Sequence, residues 1–112
     1  MSGKQTGTRR QTAAPVFAAL GDETRLELLA RLRKSPRRSI SQLTEGTPLT
    51  RQAITKHLRV LEKAGIVHGV RTGRESQFEF DPRPIDRARE YLDRVSAEWD
   101  EALARLKAFV ED

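Results

Sequence analysis

The 112-residue chain contains no cysteine. Disulfides, thiolate metal sites and thiol redox switches are therefore excluded. Aromatic residues are scarce, at 5% of the chain with one Trp and one Tyr. Leu, Ile, Val and Phe can still fill one modest core. A single domain of this size is marginal by itself, so a dimer that shares core would strengthen it. No apolar run reaches the roughly 18 residues of a membrane span, and no secretory signal with an apolar core is recognised. A soluble cytoplasmic protein with no membrane partner is expected. Sets of catalytic residues are also missing. There are two His, no Ser-centred elbow, no Gly-rich phosphate loop and no His/carboxylate motif, so an enzyme is not expected. Neither a cofactor nor a metal is called for.

Basic residues are abundant. The formal net charge is +5 and the sequence pI about 10.2, a balance that favours a polyanionic partner. The charge is also segregated. Residues 1–75 hold 15 Lys/Arg and 6 Asp/Glu, whereas residues 76–112 hold 6 and 10.

The patterning divides the chain into a basic tail at 1–12, a domain of short helices and a hairpin at 13–81, and a long C-terminal helix at 82–112; the residues they contain lead to the expectation of DNA binding for the second and dimerisation for the third. The tail is polar and Gly-containing, which reads as disorder; a DNA-contacting arm through Lys4, Arg9 and Arg10 is the alternative. A short helix follows over Ala14–Leu20, with Val16, Phe17 and Leu20 on one face and Gly21 to end it. Asp22 caps a second helix whose apolar stripe is Leu26, Leu29 and Leu32, with Leu28 alongside. Arg31, Arg33, Lys34, Arg37 and Arg38 close it, either as solvated charge or as phosphate contacts. A third, short helix fits Ser39–Glu45, with Ile40 and Leu43 inward.

After a Gly46-Thr47-Pro48 turn, Thr50 caps a longer helix, and Gly65 stops it. Ile54, Leu58 and Leu61 form its inward stripe. The period then changes. Ile66, His68 and Val70 alternate, as do Phe78 and Phe80, around a Thr72-Gly73 turn, which predicts a β-hairpin with Arg71 and Arg74 at its tip. His68 is assigned a packing or surface role, and His57, at the border of the inward and outward sides of its helix, a phosphate or local hydrogen-bond role rather than that of a metal ligand. Asp81-Pro82 and Pro84 precede the last helix. Its seam of Ile85, Ala88, Leu92, Val95, Trp99, Ala102, Leu106 and Phe109 has heptad spacing, widened by Tyr91, Leu103 and Val110. With so few other elements available, part of that seam is expected to meet a second copy.

The predicted fold is mainly α with a β-hairpin wing, a winged helix-turn-helix. The B-DNA major groove is about 12 Å wide and admits one helix. Arg grips guanine, Gln grips adenine and a Thr methyl touches a thymine methyl. Arg51, Gln52 and Thr55 bring these chemistries to the N-terminal end of the Thr50–Gly65 helix, the end that meets base edges, and Thr50 is included with them. Lys56 and Arg59, a turn further on, suit phosphates. Arg71 and Arg74 reach the adjacent backbone or minor groove. Sequence-specific binding to double-stranded DNA is expected; a non-specific DNA-coating protein is the alternative.

The stretches "LGDETRLELLARL", "SISQL" and "TRQAITKHLRVLEKAGIVHGVRTGRESQFEF" resemble the ArsR-type (arsenic-repressor-like) bacterial winged-helix regulators over roughly residues 14–81. The resemblance implies a homodimer joined through its first and last helices, with Val16, Phe17, Leu20, Leu92, Val95, Trp99, Leu103 and Leu106 as interface positions. It also implies repression at a pseudo-palindromic operator. The family's DNA-facing helix positions match Thr50, Arg51, Gln52, Thr55, Lys56 and His57, and its wing matches Val70–Glu75, which includes Thr72. The Cys-containing metal site of the founding members corresponds to Ser39–Leu43, which has no thiol. The last helix lacks the His of a second type of family site. Asp86, Glu90 and Asp93 offer only oxygen ligands and read as a solvated face. Metal-dependent release is not expected, and the sequence names no inducer.

Overall fold

The structure is a computed structural model and describes residues 13–111. The expected basic tail lies outside the described residues. Residues 13–20 are helical (α1). They are followed by α2 (Glu23–Lys34), β1 (Arg38–Ser39), α3 (Ile40–Thr44), α4 (Arg51–Lys63), β2 (Val67–Thr72), β3 (Glu75–Phe80) and α5 (Arg83–Glu111).

Short-range chemistry sets each boundary. The Asp22 carboxylate accepts from the Arg25 N–H at 3.0 Å and starts α2. Ser39 and Gln42 form a reciprocal capping box at the start of α3. The Arg31 guanidinium closes the other end of α3 by donating to the carbonyls of Leu43 and Glu45. Thr50 Oγ1 accepts from the Ala53 N–H and starts α4. At the end of α4, the Ile66 N–H reaches back to the Leu61 carbonyl and the Gly65 N–H to that of Glu62. This Schellman arrangement needs a left-handed residue, supplied by Gly65 at φ 78.

One core unites α1, α2, α3, α4 and the sheet. Ile54, Leu58 and Leu61 of α4 are fully buried against Leu28, Leu32, Leu43, Ile66, Val67 and Phe78. The inward stripe of α2 differs from the expected one. Leu28, Leu29 and Leu32 face the core while Leu26 is 51% exposed. At about 100° per residue, Leu26 falls on the side of the helix away from Leu28.

The sheet has three strands in the order β1-β3-β2, all antiparallel. Strand β1 was not anticipated. Two residues are too few to show an alternation, and Arg38 read as part of a basic run. Pairing of Arg38 with Phe78 and of Ser39 with Gln77 anchors the wing to the helix-turn-helix. The wing turn is also one residue later than expected. Thr72 pairs with Glu75, so the two-residue loop is Gly73-Arg74, with Gly73 at φ 61. The expected alternation of Ile66, His68 and Val70 is not seen: Ile66 and Val67 are both buried, and His68 is exposed.

The root of the wing is joined to α5 by an ionic cluster. Buried Asp81 lies 2.8 Å from His68 Nε2 and accepts from Arg83 through Nη2 at 2.7 Å and through the backbone N–H at 3.0 Å. The Arg83 guanidinium, then His68, then the Arg83 N–H hold the Asp81 carboxyl far below the usual carboxylate range. His68 thus has a specific polar partner and is more than a packing residue. Near the start of α5, Pro84 and Ala88 are buried, and Tyr91 meets Phe17 at a ring separation of 6.3 Å. Beyond that point α5 leaves the rest of the chain, and the seam from Leu92 onward is largely exposed. Among the described residues, no helix is long and apolar enough to cross a membrane.

Replacing the fully buried Leu58 with Ala should destabilise the chain by about 2–5 kcal/mol, measured by urea unfolding. Asp81 titrates lower in the folded chain than in the unfolded one. Its contribution is therefore complete above the unfolded value near 3.9 and is lost as pH falls toward the depressed folded value. The stability gap between the wild type and Asp81→Asn should accordingly be widest near neutral pH and shrink below about pH 4; a gap that does not change with pH would contradict the ion-pair assignment.

Candidate nucleic-acid interface

Burial of the Ile54, Leu58 and Leu61 side turns the opposite side of α4 to solvent. Arg51, Gln52, Lys56 and Arg59 are exposed there and Thr55 is half-buried. At about 100° per residue, Gln52, Thr55, Lys56 and Arg59 cluster around the side opposite the core. Arg51 lies on a shoulder of the helix and lines a cleft together with Ser41 of α3 and Arg74 of the wing.

The hydroxyl groups on this surface are partly committed. Thr50 Oγ1 is occupied as the helix cap. Thr55 Oγ1 donates to the Arg51 carbonyl at 2.7 Å. That back-bond satisfies the Thr55 proton and leaves its methyl as the group available for apolar contact. Arg59 Nη1 lies 2.8 Å from Glu62 Oε1, an exposed pair that exchanges readily with solvent or a phosphate.

His57, between the inward and outward sides of α4, takes up the local hydrogen bond that was one of its two expected roles. It is turned toward α2, with Nδ1 3.3 Å from Arg25 Nη1 and 3.7 Å from Asp22 Oδ2. The α4 periodicity places it on the flank beside α2, away from Gln52 and Lys56. A neutral imidazole protonated on Nε2 lets Nδ1 accept from the guanidinium, a tautomer inferred from the hydrogen-bond geometry. Arg25 also donates through Nε to the Ala19 carbonyl at 2.6 Å and through Nη2 to that of Ala18 at 3.3 Å. One guanidinium thereby closes the end of α1 and braces α4 from behind. The Arg25 N–H, followed by the Arg25 guanidinium charge, holds the Asp22 carboxyl below its ordinary value against the opposing effect of burial. Sequence reasoning missed Arg25. The available signal was its position three residues after the Asp22 cap, at the start of the helix packed behind α4.

The wing presents Arg71, Thr72 and Arg74 in exposed positions at its end. It comes close to α4 at a glycine that the sequence did not single out. A Cβ on Gly69 would lie 3.1 Å from Glu62 Oε2, a contact that a shift of a few tenths of an ångström in the Glu62 side chain would relieve.

The expected dimer positions separate into two groups. Val16 is 2% exposed and fills the core of its own chain, while Phe17 and Leu20 are partly buried against that core. Val16 is thus not available to a partner in this conformation. Its side chain belongs to the face of α1 that packs onto the rest of the domain. Leu92, Trp99, Leu103 and Leu106 are exposed, with Trp99 at 65%, and Val95 is half-buried. Asp86, Glu90 and Asp93 are also exposed on α5, and among the described residues no three His, Asp or Glu side chains gather as metal ligands.

A helix-turn-helix domain model matches residues 20–70. The HTH-type transcriptional regulator Rv2034 of Mycobacterium tuberculosis is 33% identical over 95 residues, covering 85% of each chain. An ArsR-like transcriptional regulator from Rhodococcus sp. RHA1 superposes with a TM-score of 0.81 at 41% identity, covering 92% of this chain and 95% of that one. The homodimeric winged helix-turn-helix DNA-binding domain of a possible ArsR-family regulator from Mycobacterium bovis gives a TM-score of 0.62 at 25% identity, covering 79% of this chain and 80% of that one. With its capped α4, its braced wing and these relatives, the chain belongs to the ArsR-type winged helix-turn-helix family of DNA-binding transcriptional regulators.

Proposed function

We propose that the protein is a cytoplasmic homodimeric repressor that places α4 of each subunit in the major groove of one half of a pseudo-palindromic operator. The observation that carries this reading is the division of α4 into a fully buried apolar side and an exposed side of Gln52, Thr55, Lys56 and Arg59. Gln52 has two donors and an acceptor suited to an adenine edge, and the free Thr55 methyl suits thymine. Lys56 and Arg59 engage phosphates, which position the helix without selecting sequence. Arg71, Thr72 and Arg74 carry the wing to the neighbouring backbone or minor groove.

The dimer is supported by the exposed stripe of Leu92, Trp99, Leu103 and Leu106, to which Val95, Phe17 and Leu20 add partly buried surface. A contiguous apolar stripe of this kind is costly to leave in water. The M. bovis relative is itself homodimeric. Two-fold symmetry would space the half-sites about one helical turn, roughly 34 Å, or a multiple of it apart. Repression follows if the bound dimer excludes polymerase from the promoter. Residues 1–12 serve as a basic tail in this reading, 13–81 as the DNA-binding domain and 82–112 as the dimerisation helix.

Footprinting on the DNA upstream of the protein's own coding sequence tests the proposal. Protection of a two-fold symmetric site is expected, with a preference of about 10³-fold or more over random DNA. Equal affinity for both would favour a non-specific coating role. Gln52→Ala should cost about 1–3 kcal/mol at that site and relax preference at one base pair in each half. Trp99→Ala should weaken dimerisation by about 2 kcal/mol or more, read by sedimentation equilibrium; an unaltered dimer would place the interface elsewhere.

A further inference from the structure

A cleft of about 200 Å³ opens between the start of α4, the start of α3 and the tip of the wing. Arg51 and Arg74 line it from separate elements, Ser41 and Ser76 contribute hydroxyls, and Ile40 and Glu75 also border it. At ~30 Å³ per water it has room for on the order of six waters, enough for a phosphate group with part of its hydration shell. Among the described residues, neither Arg51 nor Arg74 has a carboxylate within ion-pair distance. The fold therefore brings two guanidinium groups and a single carboxylate, that of Glu75, to one concavity. Each guanidinium presents a planar fork of donors that matches the oxygens of a phosphate, and a monoanion between the two relieves their mutual repulsion.

We propose that this cleft seats one DNA backbone phosphodiester, clamped between α4 and the wing by Arg51 and Arg74 with help from the Ser41 and Ser76 hydroxyls. The inference rests on the DNA-binding reading above and deepens it. Arg51 becomes a positioning residue rather than a base reader, so discrimination falls to Gln52 and Thr55. A single phosphate shared by helix and wing fixes how deep α4 sits and at what angle, because the two elements can no longer move independently on the DNA. The Glu75 carboxylate opposes the anion and keeps the net charge of the cleft near that of a single cation, which suits a phosphodiester better than a dianionic phosphate monoester.

The test uses the full chain, a duplex enriched by the wild type from a random library and a mixed-sequence duplex of equal length. Arg51→Ala and Arg74→Ala should each weaken binding to both duplexes by about the same factor, keeping their ratio within about threefold, as phosphate contacts do. The double variant should lose less than the product of the two single losses, because both arginines share one phosphate. A scan with uncharged methylphosphonates should find one position in each half-site that weakens the wild type by about tenfold but the double variant by less than about twofold. Glu75→Gln should tighten binding to both duplexes. The clamp is overturned if Arg51→Ala lowers the specificity ratio by about tenfold or more, or if the single losses multiply and no shared position appears. A wild type that binds neither duplex would instead overturn the DNA-binding reading itself. Arg51 and Arg74 are both exposed, so neither substitution removes a side chain from the core.

Discussion

Everything outward on α4 depends on what its other side buries. Ile54, Leu58 and Leu61 are withdrawn completely from solvent against side chains of α2, α3 and the sheet. Burying three such side chains is worth roughly 1.5–3 kcal/mol each. A helix held this firmly cannot rotate about its own axis without exposing that stripe. Gln52, Thr55, Lys56 and Arg59 are therefore presented in one fixed direction. For the groove-reading role proposed for this surface, that fixed presentation lowers the ordering cost of binding.

Polar ties then fix the surrounding elements relative to α4. The Arg25 guanidinium joins two carbonyls of α1 to His57 of α4, and the Arg31 guanidinium closes α3 at the turn that leads into α4. Asp81 binds His68 of the wing and Arg83 of α5. The wing and the helix that carries the apolar seam share a buried carboxylate, which ties the root of the hairpin to the start of α5. The short β1 strand completes the frame by pairing the wing to the segment just ahead of α3.

Much of this was legible in the chain itself. Asp22 and Thr50 are capping residues by chemistry and act as caps. The spacing of Ile54, Leu58 and Leu61 marked the inner side of α4, and Gly65 marked its end through the left-handed conformation that only glycine adopts cheaply. The wing was recognisable as a hairpin, but its loop was placed one residue early. Thr72-Gly73 and Gly73-Arg74 both contain the glycine that a tight turn needs, and only the strand register distinguishes them. Strand β1 was hidden because its pairing partner lies some forty residues away, at Phe78 and Gln77.

The sequence by itself determined the local events: which residues cap, which side of α4 turns inward, where helix gives way to hairpin, and which half of the chain is basic. These depend on neighbours within a turn or a strand, so spacing and side-chain chemistry are enough to specify them. Only the tertiary structure decided which side chains meet across elements. It turned His57 toward Arg25, drew Val16 into its own core, left Leu26 outside and brought Arg51 to the same cleft as Arg74. Such encounters join residues far apart along the chain, and their geometry follows from how the helices and the sheet pack against one another.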